Sequence, residues 1–215
     1  EFFFIDVKEG KKGSIAQIAF SGNQAITSKR LKEVYDLNTS SLLARGFLDT
    51  KGLEDVNLRL REFYISNGFV FSEIEDPIIV FSDSGTQAYV TFKISEKSKY
   101  QVRSINITGI NDSELESKIK QVMINKEGTN FDVTAVDKDL KRVLDLVKEQ
   151  GYYFTSFTEK NPKKIISLSS ASKSIDINLK FDTGKKSYLG DVIVTGNIST
   201  KEIVIKRALG FEVIN

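Results

Sequence analysis

Three evenly spaced glycines constrain the architecture of this chain more than any other feature. Gly22, Gly109 and Gly196 follow one another at equal steps of 87 residues, and each ends a short apolar segment. The same step relates other apolar positions, in the triplets Phe3/Val90/Ile177, Ile5/Phe92/Leu179, Val7/Ile94/Phe181 and Ile15/Val102/Leu189. Repeats that build solenoids have periods of about 20–50 residues, so a longer unit should be a small domain with its own core. The sequence therefore predicts an array of modules.

The phase of the repeat predicts where the modules begin and end. Residues 1–12 align with the end of a unit, so we expect them to be the last strand of a preceding module or an N-terminal extension. Residues 13–97 and 98–185 are expected to form two complete modules. Residues 186–215 should start a further module, with a strand at Leu189–Val194 and a helix at Thr200–Leu209. We expect the natural polypeptide to extend in both directions.

Each module is predicted to begin with a strand and two helices. Strand 1 and the first helix are placed at Ser14–Ser21 and Ser28–Leu37 in the first module, and at Gln101–Thr108 and Ser113–Met123 in the second. Ser28 and Ser113 are the expected N-caps of the first helices. Apolar residues at steps of three and four mark the second helices: Leu53, Val56, Leu60 and Phe63, and Val133, Val136, Leu140, Val143 and Val147. Both second helices should stop at a glycine followed by an aromatic residue, Gly68-Phe69 and Gly151-Tyr152.

Two strands are predicted to complete each module. Strand 2 is placed at Phe69–Glu75 or Tyr152–Thr158, ending near Pro77 or Pro162, and strand 3 at Tyr89–Ser95 or Ile175–Asp182. Strand 3 alternates apolar and polar residues, which indicates one covered and one solvated face. The link between these strands, Ser82–Gly85 or Pro162–Lys173, is rich in turn residues and permits an antiparallel hairpin. The predicted fold class is α+β: tandem β-α-α-β-β modules, each a three-stranded mixed sheet with two helices packed on one face.

Composition excludes several classes of function. The chain has 31 basic and 29 acidic residues, so its net charge of +2 gives little reason to expect strong nucleic-acid binding. It has no cysteine and no histidine, which removes disulfides, thiolate and imidazole chemistry and most transition-metal sites. No serine, lysine or carboxylate stands in the motif of a nucleophile with its base. We therefore expect no catalytic residue, no cofactor, no metal and no enzymatic activity.

The residues resemble a known family, the polypeptide-transport-associated (POTRA) domains. The resemblance lies in the strand ending Phe20-Ser-Gly-Asn23, in the helix ends Phe63-Tyr-Ile-Ser-Asn-Gly-Phe69 and Leu146-Val-Lys-Glu-Gln-Gly-Tyr152, and in the stretch Val194–Arg207. It covers essentially the whole chain, in two full copies and two partial ones. The chain departs from the pattern at Ile110, where the other copies have asparagine, and at Lys97, where a turn glycine is common.

The resemblance implies a setting and a set of partners. Tandem POTRA domains suggest the periplasmic arm of a BamA/TamA-like outer-membrane barrel assembly or translocation protein. The implied location is the periplasmic face of the outer membrane of a Gram-negative bacterium, or the equivalent intermembrane space of an organelle. The implied partners are unfolded outer-membrane protein clients, accessory periplasmic or lipoprotein subunits and the chain's own C-terminal membrane barrel, with no nucleic acid among them.

Strand 2 is the predicted client-binding edge. An open sheet leaves backbone amides and carbonyls unpaired along its edge, and an extended peptide can pair with them by β-augmentation. A proline at the end of strand 2 is better tolerated at an edge than in the centre of a sheet. The candidate binding residues are Phe69, Val70, Phe71, Ser72, Glu73 and Ile74 in the first module and Tyr153, Phe154, Thr155 and Ser156 in the second. Structural roles are expected for Gly22, Asn23, Gly68, Gly109, Gly151, Gly196 and Asn197.

Two other classes of function remain open from the sequence. KH modules, which bind RNA, share the order β-α-α-β, but they need a Gly-x-x-Gly loop between the helices, and the segments Asn38–Leu48 and Asn125–Asn130 have one glycine each. A periplasmic interaction scaffold of the division or adhesion type could use the same modules. The short links between modules, Glu96–Tyr100 and Thr183–Tyr188, predict a semi-rigid arm with a limited hinge near Ser98.

Overall fold

The structure is a computed structural model of the 215-residue chain, and it describes residues 13–159, 161–188, 190 and 193–208. The predicted N-terminal strand or extension at residues 1–12 lies outside the described residues. The elements of the first module are β1 (Ser14–Ser21), α1 (Ser28–Leu37), α2 (Ser41–Ala44), α3 (Thr50–Ser66), β2 (Glu73–Ile74), β3 (Ile78–Phe81) and β4 (Gln87–Ser95). Those of the second are β5 (Gln101–Thr108), α4 (Ser113–Val122), a 3-10 turn (Val133–Ala135), α5 (Val136–Glu149), β6 (Ser156–Phe157), α6 (Pro162–Ile165), β7 (Ile166–Ser169) and β8 (Ser174–Asp182).

Both modules contain a mixed sheet with the same topology. In the first, β1 runs parallel to β4, and β2 and β3 both pair antiparallel with the other side of β4. In the second, β5 runs parallel to β8, and β6 and β7 pair antiparallel with its other side. A register shift interrupts each parallel pair at the same place, between Ile15 and Gln17 and between Val102 and Ser104. The predicted mixed sheet is confirmed, but it has four strands where three were predicted, because two short strands share the outer position beside β4 or β8.

The predicted course of strand 2 was wrong. Phe69–Glu75 and Tyr152–Thr158 are each mostly turn, and only Glu73–Ile74 and Ser156–Phe157 form strand. The chain then leaves the sheet, and it returns as β3 or β7 to pair with the first half of β4 or β8. Pro77 lies at this interruption in the first module, where its missing N–H costs no ladder hydrogen bond. The predicted link at Pro162–Lys173 therefore contains α6 and β7.

Helix caps explain where the helices begin. The N-cap of α1 is Thr27, whose side chain accepts from the amide of Arg30, and the N-cap of α4 is Asp112, which accepts from the amides of Glu114 and Leu115. The predictions of Ser28 and Ser113 were therefore wrong by one residue. Asp112 is further favoured at the N-cap of α4, because its negative charge interacts favourably with the positive end of the helix dipole.

Each module has its own hydrophobic core between the helices and the inner face of the sheet. The buried apolar residues of the first core are Leu31, Val34, Tyr35, Leu43, Leu53, Val56, Leu60, Tyr64, Phe69, Ile74, Val90, Phe92 and Ile94. Those of the second core are Tyr100, Val102, Ile105, Ile110, Leu115, Ile119, Met123, Phe131, Val136, Val143, Val147, Phe157, Ile165, Ile175, Ile177, Leu179 and Phe181. Nearly all of the predicted helical apolar positions contribute to one of these two cores.

The structure describes only part of the third repeat, residues 186–188, 190 and 193–208. Residues 189, 191 and 192 of the predicted strand Leu189–Val194 lie outside the described residues, and residues 190, 193 and 194 are not in a strand. The predicted helix appears as α7 (Glu202–Ala208). None of its described side chains is buried. Among the described residues, no helix is long and apolar enough to cross a membrane.

Candidate functional site

The turn after α3 places most of the candidate residues of the first module away from any edge strand. Phe69 is buried in the first core, and Val70 packs against the core of the second module. The hydroxyl of Ser72 is buried without a hydrogen-bond partner among the described residues. Phe71 is half exposed and meets the ring of Tyr100 edge to face, with ring centroids 5.5 Å apart. None of these four residues lies in a strand.

The second module distributes its candidate residues in the same way. Tyr153 and Phe154 lie in a turn with large exposed fractions, 66% and 76%, and their rings meet edge to face at 5.4 Å. Thr155 is buried, and its hydroxyl also lacks a partner among the described residues. Of the four residues, only Ser156 belongs to a strand. In each module, the open outer edge is therefore formed mainly by the strand that sequence reasoning missed.

One edge of the first sheet is formed by β3, and the opposite edge is formed by β1. The four residues of β3 pair with β4 on one side. The amide of Ser82 donates to the carbonyl of Gln87, so by the alternation of an antiparallel ladder the amides of Ile79 and Phe81 point away from β4. Among the described residues, no other strand accepts a hydrogen bond from these two amides. The run Ile78-Ile-Val-Phe81 is rich in β-branched and aromatic residues, and this signal in the sequence could have identified the strand.

The outer face of the first sheet adds an exposed apolar strip beside that edge. In the ladder, Ile78 lies opposite Thr91 and Val80 lies opposite Tyr89, so these side chains share the face that points away from the helices. Ile78, Val80 and Tyr89 are 47%, 58% and 41% exposed. We call Ile78, Val80 and Tyr89 the outer apolar strip. It is directly continuous with the unpaired edge of β3.

Of the three matching positions in the second module, two are polar and the third is the buried Ile165. Ser167 and Asp176 stand where the first module has Val80 and Tyr89. Asp176 accepts hydrogen bonds from Arg103 and Ser104, and these bonds lower the pKa of its carboxyl to about 2. Asn178 donates to Ser167 at 3.0 Å and accepts from Asn106 at 2.9 Å. The two outer faces therefore differ in chemistry although the folds are the same.

The repeated glycines have structural roles in this geometry. Gly22 and Gly109 have φ of +82° and +87°, and a Cβ at either position would lie 2.1 Å from a carbonyl oxygen of the last strand, that of Ile94 or Phe181. Asn23 and Asn197 each cap the next turn through their side-chain amides, which donate to the carbonyls of Ile26 and Thr200. Gly196 also has a positive φ.

Buried polar groups hold loops in place and do not form a reactive cluster. Asp139 is 2% exposed and accepts from the amides of Ile124 and Asn125, at 2.6 and 3.0 Å. Glu96 accepts from the amides of Ala25 and Ile26 in the first module. Among the described residues, no group of three or more acidic side chains lies close enough together to hold a metal ion.

Comparison with known proteins decides the family. A family model named POTRA, described as "Surface antigen variable number repeat", matches residues 13–97 and 100–184. The chain belongs to the POTRA family. This membership also selects the POTRA module over the KH module that the order of elements had left open.

Two similar proteins are both named outer membrane protein assembly factor BamA. The outer membrane protein assembly factor BamA of Neisseria meningitidis serogroup B is 23% identical over 211 residues, which are 95% of this chain and 26% of that protein. BamA of Neorickettsia risticii is 25% identical over 211 residues, 95% of this chain and 27% of that protein. The chain thus spans about a quarter of the length of these relatives.

A solved structure shows the same fold. The crystal structure of POTRA domains 3–5 of Haemophilus influenzae BamA matches with a TM-score of 0.53 and 21% identity, covering 91% of this chain and 76% of that one. At this identity the likeness concerns the fold alone. The α+β architecture with helices on one face of a mixed sheet is therefore that of POTRA domains.

Proposed function

We propose that these POTRA domains are the periplasmic protein-binding arm of an outer-membrane protein assembly or translocation factor. In this proposal the arm receives unfolded outer-membrane protein clients by β-augmentation, and it also contacts accessory periplasmic or lipoprotein subunits and a membrane barrel of the same polypeptide. Family membership and the names of the relatives support the setting. No catalytic step is part of the proposal.

The unpaired edge of β3 beside the outer apolar strip is the observation that carries the binding mode. A client strand added to this edge would receive hydrogen bonds from the outward amides of Ile79 and Phe81. Because backbone pairing depends little on side-chain identity, it suits a protein that handles many sequences. Strands of membrane barrels alternate apolar and polar residues, so one face of an added strand would extend the outer apolar strip. The first module is therefore the preferred receiver.

The experiment removes one outward donor. Phe81→Pro deletes the outward amide at the end of β3, where proline is tolerated at an edge strand. Loss of one backbone hydrogen bond, at about 1 kcal/mol, should weaken binding of an unfolded barrel-protein peptide by about fivefold. The measurement is an NMR titration of the 215-residue chain with a peptide of alternating apolar and polar residues.

The control is the matched variant Leu168→Pro, which makes the same backbone change in β7. We expect it to leave the affinity for the peptide near that of the parent, because the second module lacks the outer apolar strip. If Phe81→Pro keeps its fold and binds the peptide as the parent does, strand addition at β3 is wrong. Amide resonances outside β3 report whether the fold is kept.

A further inference from the structure

The contact between the two complete modules is built around the glycine that ends α3. The carbonyl of Gly68 accepts from the amide of Tyr100 at 2.8 Å, and the carbonyl of Tyr100 accepts from the amide of Phe131 at 3.0 Å. Tyr100 is itself 5% exposed and belongs to the second core. The turn after α3 is thereby joined to the first strand of the next module by backbone hydrogen bonds. We call this contact the first junction.

Three side chains complete the first junction. Lys99 lies over the ring of Phe69, 5.6 Å from its centroid. Val70 packs against the second core, and Phe71 meets Tyr100 edge to face. The two residues after Phe69 thus serve as the apolar contact between modules.

The same contact begins again at the end of the second module. The carbonyl of Gly151 accepts from the amide of Ser187 at 2.7 Å, as Gly68 does from Tyr100. Lys186 lies over the ring of Tyr152 at 5.9 Å, as Lys99 does over Phe69. The backbone and the lysine of a second junction are therefore in place.

The exposed side chains of Tyr153 and Phe154 would form the apolar part of this second junction. Counting from the helix-ending glycine, Tyr153 and Phe154 occupy the positions of Val70 and Phe71. At the backbone position of Tyr100 the chain has the small Ser187, and at the position of Val70 it has the larger Tyr153. Each junction therefore has two aromatic rings. In the first they come one from each module, Phe71 and Tyr100, and in the second both come from the preceding module. Exposure of large apolar side chains at such a place indicates an interface.

We propose that the side chains of Tyr153 and Phe154 pack against the module that begins at Lys186. In this proposal they do not form a client-binding strip. The occupant is this chain's own third repeat, whose entry is already fixed by the hydrogen bond between Ser187 and Gly151. The pair would then hold the third module against the second, as Val70 and Phe71 hold the second against the first. This role is independent of strand addition at β3.

The test measures the spread of module orientations in the natural polypeptide that contains this sequence. Residues 1–215 have no cysteine, so pairs of spin labels can be attached to cysteines introduced at exposed positions. Lys51→Cys with Lys141→Cys reports the first junction, and Lys141→Cys with Arg207→Cys reports the second. The expected result for Tyr153→Ser/Phe154→Ser is loss of the narrow distance distribution at the second junction, with the first unchanged.

The matched control is Val70→Ser/Phe71→Ser, for which we expect loss of the narrow distribution at the first junction. An unchanged second distribution in Tyr153→Ser/Phe154→Ser would overturn the proposal, and so would a parent distribution that is already broad. Client binding is measured on the same variants. The proposal expects Tyr153→Ser/Phe154→Ser to bind the unfolded peptide as the parent does, and a loss of binding would assign the pair to the client. Failure of Phe81→Pro to weaken binding concerns only β3, so the two proposals fail separately.

Discussion

Among single residues, Glu96 joins three separate parts of the first module. It lies at the end of β4 with 8% of its surface exposed, and its carboxylate accepts from the amides of Ala25 and Ile26 at 2.7 and 3.2 Å. The hydroxyl of the buried Tyr64 donates to it at 3.0 Å. One side chain therefore connects the turn after β1, the helix α3 and the last strand.

Two opposed effects set the ionisation of this carboxylate. Burial raises the pKa of Glu96, but the hydrogen bonds from the amides of Ala25, Gln24 and Ile26 and from Tyr64 outweigh burial and hold the pKa below its usual value. Burial, and then the contact with Glu96, raise the pKa of the Tyr64 hydroxyl. Since the folded pKa of Glu96 is lower than its unfolded value of about 4.3, its stabilisation is complete above that pH and is lost as the pH falls through the folded pKa.

We predict that Glu96→Gln destabilises the first module by about 2 kcal/mol at pH 7, because a neutral amide accepts more weakly and brings an N–H that faces other donors. The difference between parent and variant should shrink as the pH falls below about 4. Hydrogen exchange of each module's amides between pH 3 and pH 7 measures this. The second module is an internal control, because it has Thr183 at this position in the repeat. A stability difference between parent and variant that stays constant down to pH 3 would contradict the role assigned to the negative charge of Glu96.

At the scale of elements, periodicity predicted those that bury one continuous face. The bounds predicted for β1, β5 and α1 match the structure residue for residue, and the second helices end at their predicted glycines. These elements depend on local signals: alternation, steps of three and four, and glycines with φ of +92° and +96° at the helix ends. The sequence determines such features within a single turn or strand.

The outer strand escaped prediction because its position depends on partners distant in sequence. Glu73–Ile74 and Ile78–Phe81 each become strand only by pairing with β4, and neither is long enough to show a clear period. The prediction of one long strand from Phe69 ignored the turn at this point, where Phe69 and Val70 pack against two different cores. The residue types of Ile78–Phe81 indicate a strand, but its place at the edge of the sheet and the outer apolar strip could be located only once this pairing was known.

The outer faces of the two sheets give a prediction at this scale. Val80→Ser/Tyr89→Asp places on the first sheet the residues that the second sheet carries at Ser167 and Asp176. Because all of these side chains point away from the core, we expect stability to change by less than about 1 kcal/mol. Affinity for an unfolded alternating peptide should fall by about tenfold, since the apolar contact of two exposed side chains is lost.

Thermal unfolding and the peptide titration together check this prediction. The matched control is Leu37→Ser, which removes an apolar side chain that is 83% exposed on α1, away from the β3 edge. It should leave peptide affinity unchanged. Equal affinities for the parent and for Val80→Ser/Tyr89→Asp would show that the outer apolar strip contributes nothing to client binding.

At the scale of the whole molecule, the modules are connected by more than their short links. The segment Glu96–Tyr100 restricts the distance between them, as predicted from its length. The structure adds the hydrogen bond between Gly68 and Tyr100 and the contact of Phe71 with Tyr100, which restrict orientation as well. The predicted hinge near Ser98 is therefore flanked by an apolar contact, and it stays a prediction. The glycine that stops a helix also positions the next module.

Gly68 makes this double role testable, because its nearest neighbour belongs to the other module. A Cβ at Gly68 would lie 2.6 Å from the carbonyl oxygen of Tyr100, whereas a Cβ at Gly151 would first meet side-chain carbons of Lys186, at 3.0 and 3.1 Å. Both glycines have a left-handed conformation, so alanine at either should cost about 1–2 kcal/mol of strain in its helix stop. Gly68→Ala must therefore displace a carbonyl of the neighbouring module, whereas the backbone atom nearest to a Cβ at Gly151, the carbonyl oxygen of Ser187, lies 3.3 Å away and needs to move only slightly.

We therefore predict that Gly68→Ala loses the narrow distance distribution between labels at Lys51→Cys and Lys141→Cys, while Gly151→Ala keeps it. Both variants should lower the stability of the preceding helix by similar amounts, which hydrogen exchange in α3 and α5 measures. Both variants strain the turn at the end of a helix, but only Gly68→Ala disturbs the first junction. Comparing them therefore separates the two effects. A narrow distribution in Gly68→Ala would mean that the short link alone orients the modules, since the carbonyl of Tyr100 would then have moved aside without consequence.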